Sequence, residues 1–163
     1  MRKLIIMIVV CLAILAGCGT KPAEEATEPA GQMQIGNPWK SYDTLADAQA
    51  ASGLVFPLPE SIPNGYGAEI FRVMNGKLLE VQYKNGESGI TVRIQAGENE
   101  DISGVYENFT AIETSDRSGA AVTRKQADDC IVYLIFKDGY SYSVCLPGTV
   151  SGDLCNEILA NIC

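Results

Sequence analysis

The sequence predicts an α+β domain: a twisted antiparallel sheet of about six or seven strands, with a short N-terminal helix and a C-terminal helix packed on it. Three observations predict this fold class. Apolar and polar residues alternate in several short segments, for example at 79–84, which predicts strands with one buried face and one solvated face, Glu80 lying on the solvated one. Asn-Gly and Asp-Gly pairs separate these segments and are typical of hairpin turns. Near the end, Leu154, Ile158 and Ile162 are spaced four apart, which indicates an amphipathic helix.

The first element of the domain is predicted to be a short helix. Residues 41–44 offer capping oxygens ahead of an alanine-rich segment, and Gly53 follows as a stop. The next segment, 54–59, contains two prolines, which lack a backbone donor. It is therefore predicted to be extended rather than a central strand. A turn at 62–66 then leads into the sheet.

The strands are predicted from alternation between turn signals. Three of them form a meander, a weak strand and a further strand follow, and a clear hairpin closes the sheet. The hairpin turns at Lys137-Asp138-Gly139, with glycine where positive φ is needed. Ser151 is the predicted cap of the final helix. The predicted strands are 68–74, 78–84, 89–95, 109–113, 120–124, 131–136 and 140–146.

The N-terminus has the pattern of an export signal. Arg2 and Lys3 precede an uncharged apolar run of about thirteen residues, shorter than the ~20 that a membrane-spanning helix needs. The run ends in the four residues Leu15, Ala16, Gly17 and Cys18, which resemble the bacterial lipobox. This resemblance implies attachment of diacylglycerol, with acyl chains such as palmitate, to the thiol of Cys18 and cleavage before that residue, which would hold the protein on the outer face of the cell membrane.

Composition divides the chain into three parts. Residues 1–17 are the predicted signal peptide. Residues 18–37 comprise the lipidated cysteine and a stretch with almost no large apolar residue, which predicts a disordered tether. Residues 38–163 are the right size for one extracytoplasmic domain.

The charge of the chain excludes one class of partner. The formal net charge is −8, and the largest basic cluster in the exported part is Arg124-Lys125. Binding to a phosphate backbone requires a basic face, so nucleic acid is not expected as a partner. Membrane attachment is expected to depend on the lipid, because an acidic domain is repelled by anionic headgroups.

Four cysteines follow Cys18, namely Cys130, Cys145, Cys155 and Cys163, and four thiols allow three complete pairings. If the last turn pairs Phe136 with Tyr140, Cys130 shares a sheet face with Tyr142 and Val144. A helix packed on that face would bring Cys155 near Cys130, which makes these two the favoured disulfide for a chain outside the cytoplasm. The spacings do not resemble a zinc site, and there is no Cys-x-x-Cys redox motif.

The sequence shows no catalytic constellation. The chain has no histidine, the usual base and the commonest ligand of catalytic zinc. No catalytic residue, metal or cofactor is therefore predicted, although carboxylate pairs remain available for acid/base chemistry. The acidic residues from Glu98 to Asp101 offer oxygen ligands for calcium, but they lack the spaced loop of known calcium sites.

Four aromatic residues are candidates for a ligand groove: Trp39, Tyr133, Tyr140 and Tyr142. Aromatic side chains at such positions are more often part of a core or of cross-strand pairs. Both interpretations remain open at the level of the sequence.

Several short motifs are spread over the domain, namely Asn37-Pro38-Trp39, residues 44–53, residues 58–63, Val81-Gln82-Tyr83, residues 101–104 and residues 138–143. Together they resemble an uncharacterised lipoprotein family of Gram-positive anaerobes, especially clostridia. The resemblance extends to an extracytoplasmic domain of unknown function found at the C-terminus of some membrane-anchored, anti-sigma-like proteins. It covers nearly all of residues 37–162, it implies no catalytic residues, and the four late cysteines depart from it.

These observations favour a membrane-anchored surface lipoprotein whose domain is a non-catalytic binding or sensing module for a protein, peptide or envelope component. An envelope enzyme using carboxylates and a purely structural surface protein are the alternatives.

Overall fold

The computed structural model describes residues 36–97 and 100–163. Within these ranges the chain forms one antiparallel sheet of nine strands with two helices. The α+β prediction is confirmed, whereas the predicted number of strands is too low. Neither helix is long and apolar enough to cross a membrane. The predicted signal peptide and residues 18–35 of the predicted tether lie outside the described residues.

The sheet consists of two meanders joined in the middle. Strands β1 and β2 both pair with β3, and the order continues as β3-β4-β5-β9-β8-β7-β6. The meander β3 to β5 thus meets the meander β6 to β9 where β5 pairs with β9. The elements are β1 (Trp39–Tyr42), α1 (Leu45–Ser52), β2 (Ser61–Ile62), β3 (Tyr66–Met74), β4 (Leu78–Asn85), β5 (Ser88–Ala96), β6 (Ala111–Arg117), β7 (Ala120–Gln126), β8 (Cys130–Lys137), β9 (Tyr140–Pro147) and α2 (Gly152–Ile162).

The two faces of the sheet are covered differently, because alternate residues of a strand point to opposite sides. Val81, Val92 and Val144 lie opposite one another on β4, β5 and β9 and are fully buried. They pack in the main core with buried residues of α1, of segment 54–58 and of α2. We call this the helix-covered face. The other side, the loop-covered face, is crossed by the segment between β5 and β6.

Both helices begin where the sequence predicts. Thr44 caps α1 by accepting a hydrogen bond from the backbone N–H of Asp47 at 3.1 Å. Gly53 ends it in a left-handed conformation with φ 70°. Ser151 caps α2 by accepting from the N–H of Leu154 at 3.4 Å. The buried positions of α2 include the predicted apolar stripe of Leu154, Ile158 and Ile162, together with Cys155 and Leu159.

The register of the last hairpin differs from the prediction by one residue. Asp138 and Gly139 both have positive φ and form a two-residue turn, so Lys137 pairs with Tyr140 and Phe136 with Ser141. The expected pairing of Phe136 with Tyr140 is therefore wrong. A slip of one residue moves every side chain of β9 to the other face, so Cys145, not Val144, shares a face with Cys130.

The sequence did not predict two short strands. Four residues of β1 pair with β3, and the two residues of β2 pair with the start of β3. Neither segment is long enough to show alternation, and both are strands only because β3 provides a partner. The strand predicted near 109–113 is present as β6 but lies at 111–117, because its pairing with β7 continues to the Ser118-Gly119 turn.

Tyr83 tests how segment 54–58 is held on the sheet. Its buried hydroxyl donates a hydrogen bond to the carbonyl oxygen of Pro59 at 2.6 Å. We expect Tyr83→Phe to lower the free energy of unfolding by about 0.5–1.5 kcal/mol in urea titrations, because the hydrogen bond donated by a buried hydroxyl is lost while the exposed Pro59 can bind water instead. Tyr42→Phe is the control, since the Tyr42 ring packs on the core but its hydroxyl makes no hydrogen bond within the described ranges. Equal losses for the two variants would contradict the assignment.

Candidate functional site

The structure separates the four candidate aromatic residues. Trp39 lies on the loop-covered face, because it pairs with Met74 in the same row as Leu78. Tyr133 and Tyr142 are partly buried against the core on the helix-covered face. Tyr140 lies on that same face next to Tyr142, with ring centroids 6.4 Å apart. One groove therefore cannot contain Trp39 and the three tyrosines.

The favoured cysteine pair is not brought together either. Cys130 and Cys145 lie on the loop-covered face, whereas Cys155 is buried in α2 on the other side of the sheet. All four late cysteines are free thiols in the structure. Burial raises the pKa of the Cys145 thiol to about 12, which keeps it protonated at neutral pH and makes it a weak nucleophile. The lipobox residues Leu15 to Cys18 lie outside the described residues.

The pairing of three strands places Arg72, Glu80 and Arg93 side by side on the loop-covered face, and we call these three charged residues the ion row. Arg72 of β3 pairs with Glu80 of β4, and Glu80 pairs with Arg93 of β5. The Glu80 carboxylate has no exposed surface and accepts hydrogen bonds from Arg72, from Gln82 at 2.8 Å and from Arg93 at 2.7 Å. The alternation around Glu80 predicted a solvated face at this position, and that prediction is wrong.

The pKa of Glu80 reflects a balance of two effects. Burial acts to raise it, but the hydrogen bonds from Arg72, Arg93 and Gln82, together with the charge of Arg93, outweigh burial and hold it below its ordinary value of 4.5. Glu80 is therefore ionised at neutral pH. Because two cations flank one anion, the row has a net positive charge inside an acidic protein.

Trp39 covers this row from the edge of the sheet. Its ring lies over both guanidinium groups, with its centroid 4.9 Å from the central carbon of Arg72 and 5.5 Å from that of Arg93. Cations above an aromatic face are attracted to its negative electrostatic potential. The short strand β1 is thus linked to β3 and β5 by side chains as well as by its backbone pairing.

The segment between β5 and β6 packs on the other side of Arg93. Nη1 of Arg93 donates to the carbonyl oxygen of Ile102 at 3.0 Å and to that of Ser103. Gly104 makes this approach feasible, because its φ is +65° and a Cβ there would lie 2.3 Å from Nη1 of Arg93. Lys125 of β7 contacts the Asp101 carboxylate at 2.7 Å and anchors the segment further along the sheet.

Asp101 is already occupied by protein donors. Its Oδ1 accepts hydrogen bonds from the backbone and the hydroxyl of Ser103, and its Oδ2 contacts Lys125. Burial acts to raise its pKa, but these donors outweigh burial and lower it. The described residues contain no group of three or more potential metal ligands, and Glu98, one of the acidic residues considered as calcium ligands, is outside them.

An open groove of about 320 Å³ lies between Trp39 and this segment. We call it the Trp39 groove. Leu78 and Met74 of the sheet give it an apolar floor, and Trp39 and Tyr106, which is 98% exposed, both line it. The remaining lining residues are Arg93, Gln95, Asp101, Ile102 and Gly104.

A second groove of about 410 Å³ lies on the helix-covered face between α2 and the strands β6, β7 and β8. Its lining is more polar and includes Arg117, Arg124, Tyr133 and Asn156. Arg117 donates to the side-chain oxygen of Asn156 at 3.0 Å across one end. The Trp39 groove has an apolar floor and two aromatic lining residues, as is typical of ligand sites, whereas the second groove has one aromatic residue in a more polar lining.

Comparison with known proteins adds no assignment. A scan against protein-family models, a search of curated proteins and a search of solved structures each found no match to this chain. The resemblance to a lipoprotein family of Gram-positive anaerobes therefore stays a prediction.

The ion row was not predicted from the sequence, although one signal for it was present. Arg72, Glu80 and Arg93 occupy polar positions in three consecutive predicted strands. The turns between these strands place the three residues side by side once the registers are known. Polar residues on an alternating strand were assigned to solvent, and the segment that covers them has no regular structure to predict.

Glu80→Gln tests whether the ion row stabilises the fold. We expect the free energy of unfolding at neutral pH to fall by about 3–5 kcal/mol, because the substitution leaves two largely buried guanidinium groups without their carboxylate. The exposed Glu87, which makes no ion pair within the described ranges, provides the matched control Glu87→Gln. Urea titrations of the two variants give the comparison.

Glu80→Gln should also change how the free energy of unfolding depends on pH. Since the pKa of Glu80 is lowered by folding, its contribution is fully present above about 4.5 and is lost as the pH falls through the folded-state pKa. The native chain should therefore lose stability on acidification below pH 4.5 more steeply than Glu80→Gln. Parallel curves for the two proteins would contradict a stabilising role for the ionised carboxylate.

Proposed function

We propose that the protein is a non-catalytic binding module, held on the outer face of the cell membrane by lipid on Cys18, and that it binds its ligand in the Trp39 groove. The ligand is a component of the cell surface, such as an envelope glycan or peptide. The observation that carries the proposal is the open groove that Trp39 and the almost fully exposed Tyr106 both line.

The chemistry of the groove fits one ring-like or planar unit of a larger ligand. Its volume is at the small end of known ligand sites, which suits a single sugar ring or side chain rather than a drug-sized molecule. Trp39 and Tyr106 offer aromatic surface for stacking, and the floor of Leu78 and Met74 is apolar. Arg93 and Gln95 supply hydrogen-bond donors that orient a polar ligand.

A binding role also agrees with the state of the carboxyl groups. A general acid at neutral pH needs a raised pKa, as in the paired carboxyl groups of many hydrolases. Glu80 and Asp101, the two carboxyl groups with a shifted pKa in the described part of the chain, are both shifted downward and both bonded to cations. Neither has the properties of a proton donor, which weighs against the alternative of a carboxylate enzyme.

Lipid attachment to the membrane is proposed from the residues Leu15 to Cys18. We expect the full-length protein from its native membrane to have an intact mass that matches cleavage before Cys18 plus added acyl chains. Mass spectrometry with and without removal of ester-linked acyl groups measures this. A protein that retains residues 1–17, or whose Cys18 thiol is free, would contradict lipid anchoring while leaving the groove unaffected.

Ligand binding in the Trp39 groove is tested by the fluorescence of Trp39. Trp39 is the only tryptophan of the chain, so its fluorescence reports directly on the groove. Titration with size-fractionated glycan strands and peptides released from the native envelope should shift its emission saturably. Tyr106→Ala should weaken binding by roughly threefold to tenfold, because one stacking surface is lost. Since Tyr106 is 98% exposed, this variant should unfold like the native protein.

Tyr140→Ala is the control for this experiment. Tyr140 is partly exposed like many ligand-contacting aromatics, but it lies on the helix-covered face, away from the groove. Equal binding by the native chain, Tyr106→Ala and Tyr140→Ala would place the ligand elsewhere. Turnover of a fraction during the titration would favour the enzyme alternative, and no binding by any fraction would favour a structural role.

A further inference from the structure

The strand β6 forms a long open edge of the sheet. It is the last strand in the sheet order and pairs with β7 on one side only. Its five central residues, 112–116, are all exposed. The backbone N–H and C=O groups on its outer side have no partner strand within the described chain, and such an edge is a template for pairing with another strand.

The two edges of the sheet differ in how far they are protected. At the other edge, β1 has four residues and β2 has two, so little continuous backbone is available there. By contrast, β6 has seven residues, no proline, and an unbroken register with β7. Short strands, prolines, bulges and charged side chains are the usual means of blocking an edge, and of these β6 has only the charged side chains.

We propose that β6 is the surface through which two copies of this chain associate, by antiparallel pairing of β6 with β6 about a twofold axis at Ser115. This inference does not depend on the proposed ligand or on the lipid. It depends on the order of residues along the edge, because a twofold axis requires the strand to be complementary to its own reverse.

Charge selects this register. With Ser115 opposite its own copy, Glu113 lies opposite Arg117 of the second copy, and the symmetry produces this oppositely charged pair twice. Thr114 then lies opposite Asp116, where a hydroxyl can donate to a carboxylate. An axis at Thr114 would instead place the exposed Ile112 opposite Asp116. Cross-strand pairs of opposite charge stabilise a sheet, and apolar residues opposite acids do not.

The hydrogen-bonding phase of β6 agrees with the same axis. Arg117 and Ala120 flank the two-residue Ser118-Gly119 turn and therefore form a hydrogen-bonded pair within the hairpin. Pairs alternate along an antiparallel ladder, so the backbone groups of Ile112, Thr114 and Asp116 point outward. An axis at Ser115 places Thr114 opposite Asp116, so outward groups meet. An axis at Thr114 has the same phase, and it is the charge pattern that distinguishes the two.

The two charged residues are available for this contact. The Glu113 side chain is 71% exposed, and its one ion-pair partner among residues 36–97 and 100–163 is distant, Arg124 at 3.9 Å. Arg117 donates to the neutral amide of Asn156 and contacts no carboxylate within the described ranges. One seven-residue strand from each copy gives an interface smaller than the ~1,200 Å² of stable complexes, so association should be weak and should need concentrated protein.

Disulfide trapping tests the register. Ser115→Cys in the full-length chain should form a dimer under mild oxidation, with the bond between the two introduced cysteines identified by peptide mass mapping. Directly opposed strand residues are close enough for a disulfide. Ile112→Cys is the matched control, because Ile112 is also exposed, but its copies would be about 20 Å apart in this register. Dimer formation by Ile112→Cys at the same rate, or preferential trapping of Thr114→Cys, would overturn the proposed register.

Charge exchange tests the interaction itself. Sedimentation of the full-length chain in density-matched detergent should show self-association that Arg117→Glu and Glu113→Arg each weaken by roughly tenfold, because two attractive pairs become repulsive. The double variant should restore association, since the pairs reappear with their signs exchanged. A chain that stays monomeric at about 1 mM, or single variants that associate like the native chain, would overturn the proposal and leave the charges as protection of the edge.

Discussion

The pairing of β5 with β9 is the constraint on which the rest of this structure depends. It joins two meanders into one sheet, with six partnered residues on each strand. Because β9 occupies the place beside β5, the chain leaving β5 cannot continue into its neighbour. It must cross β9, β8 and β7 to begin β6 at the far edge, a distance of about 19 Å at normal strand spacing.

This crossing explains both the Trp39 groove and the open edge at β6. The crossing segment passes over the loop-covered face, bonds to Arg93 through the carbonyl oxygens of Ile102 and Ser103, and supplies the Tyr106 wall of the Trp39 groove. The same route leaves β6 outermost, with an open side. A different partner for β5 would remove the groove wall and the free edge together.

Holding the crossing segment with a buried ion row requires moving charges out of water, and this free-energy cost explains why the Glu80 carboxylate has so many hydrogen-bond donors. Moving charges out of water is unfavourable unless every charge is paired and hydrogen-bonded. Glu80 meets this condition, because Arg72, Gln82 and Arg93 all donate to it and Trp39 shields the two guanidinium groups. An apolar row would pack as well, but it would not offer donors to the loop carbonyls. The row therefore fixes where the crossing segment lies rather than simply adding stability.

The extent to which sequence predicted this structure follows from the range of each interaction. Helix caps at Thr44 and Ser151 and the long strands were predicted, because their signals lie within a few residues. The register at Phe136 was missed by one residue, since Asp138-Gly139 is compatible with loops of two or three residues, and that slip exchanged the faces of Cys145 and Val144. Glu80 was assigned to solvent because its burial depends on residues 100–104, which no local pattern connects to it.

The twist of the sheet determines which ligands a dimer of these domains could bind with both grooves. If two copies join through β6, each groove, centred on β4, is five strands from the shared edge, so eleven strand steps separate the two. At about 4.8 Å per step the grooves are roughly 50 Å apart. A rotation of about 20° per step accumulates to well over 180°, so they open in different directions. Such a pair is poorly suited to holding one flat ligand with both grooves. It is suited to bridging two separate ligand chains, and its avidity would then depend on the spacing of those chains in the envelope rather than on the affinity of one groove alone.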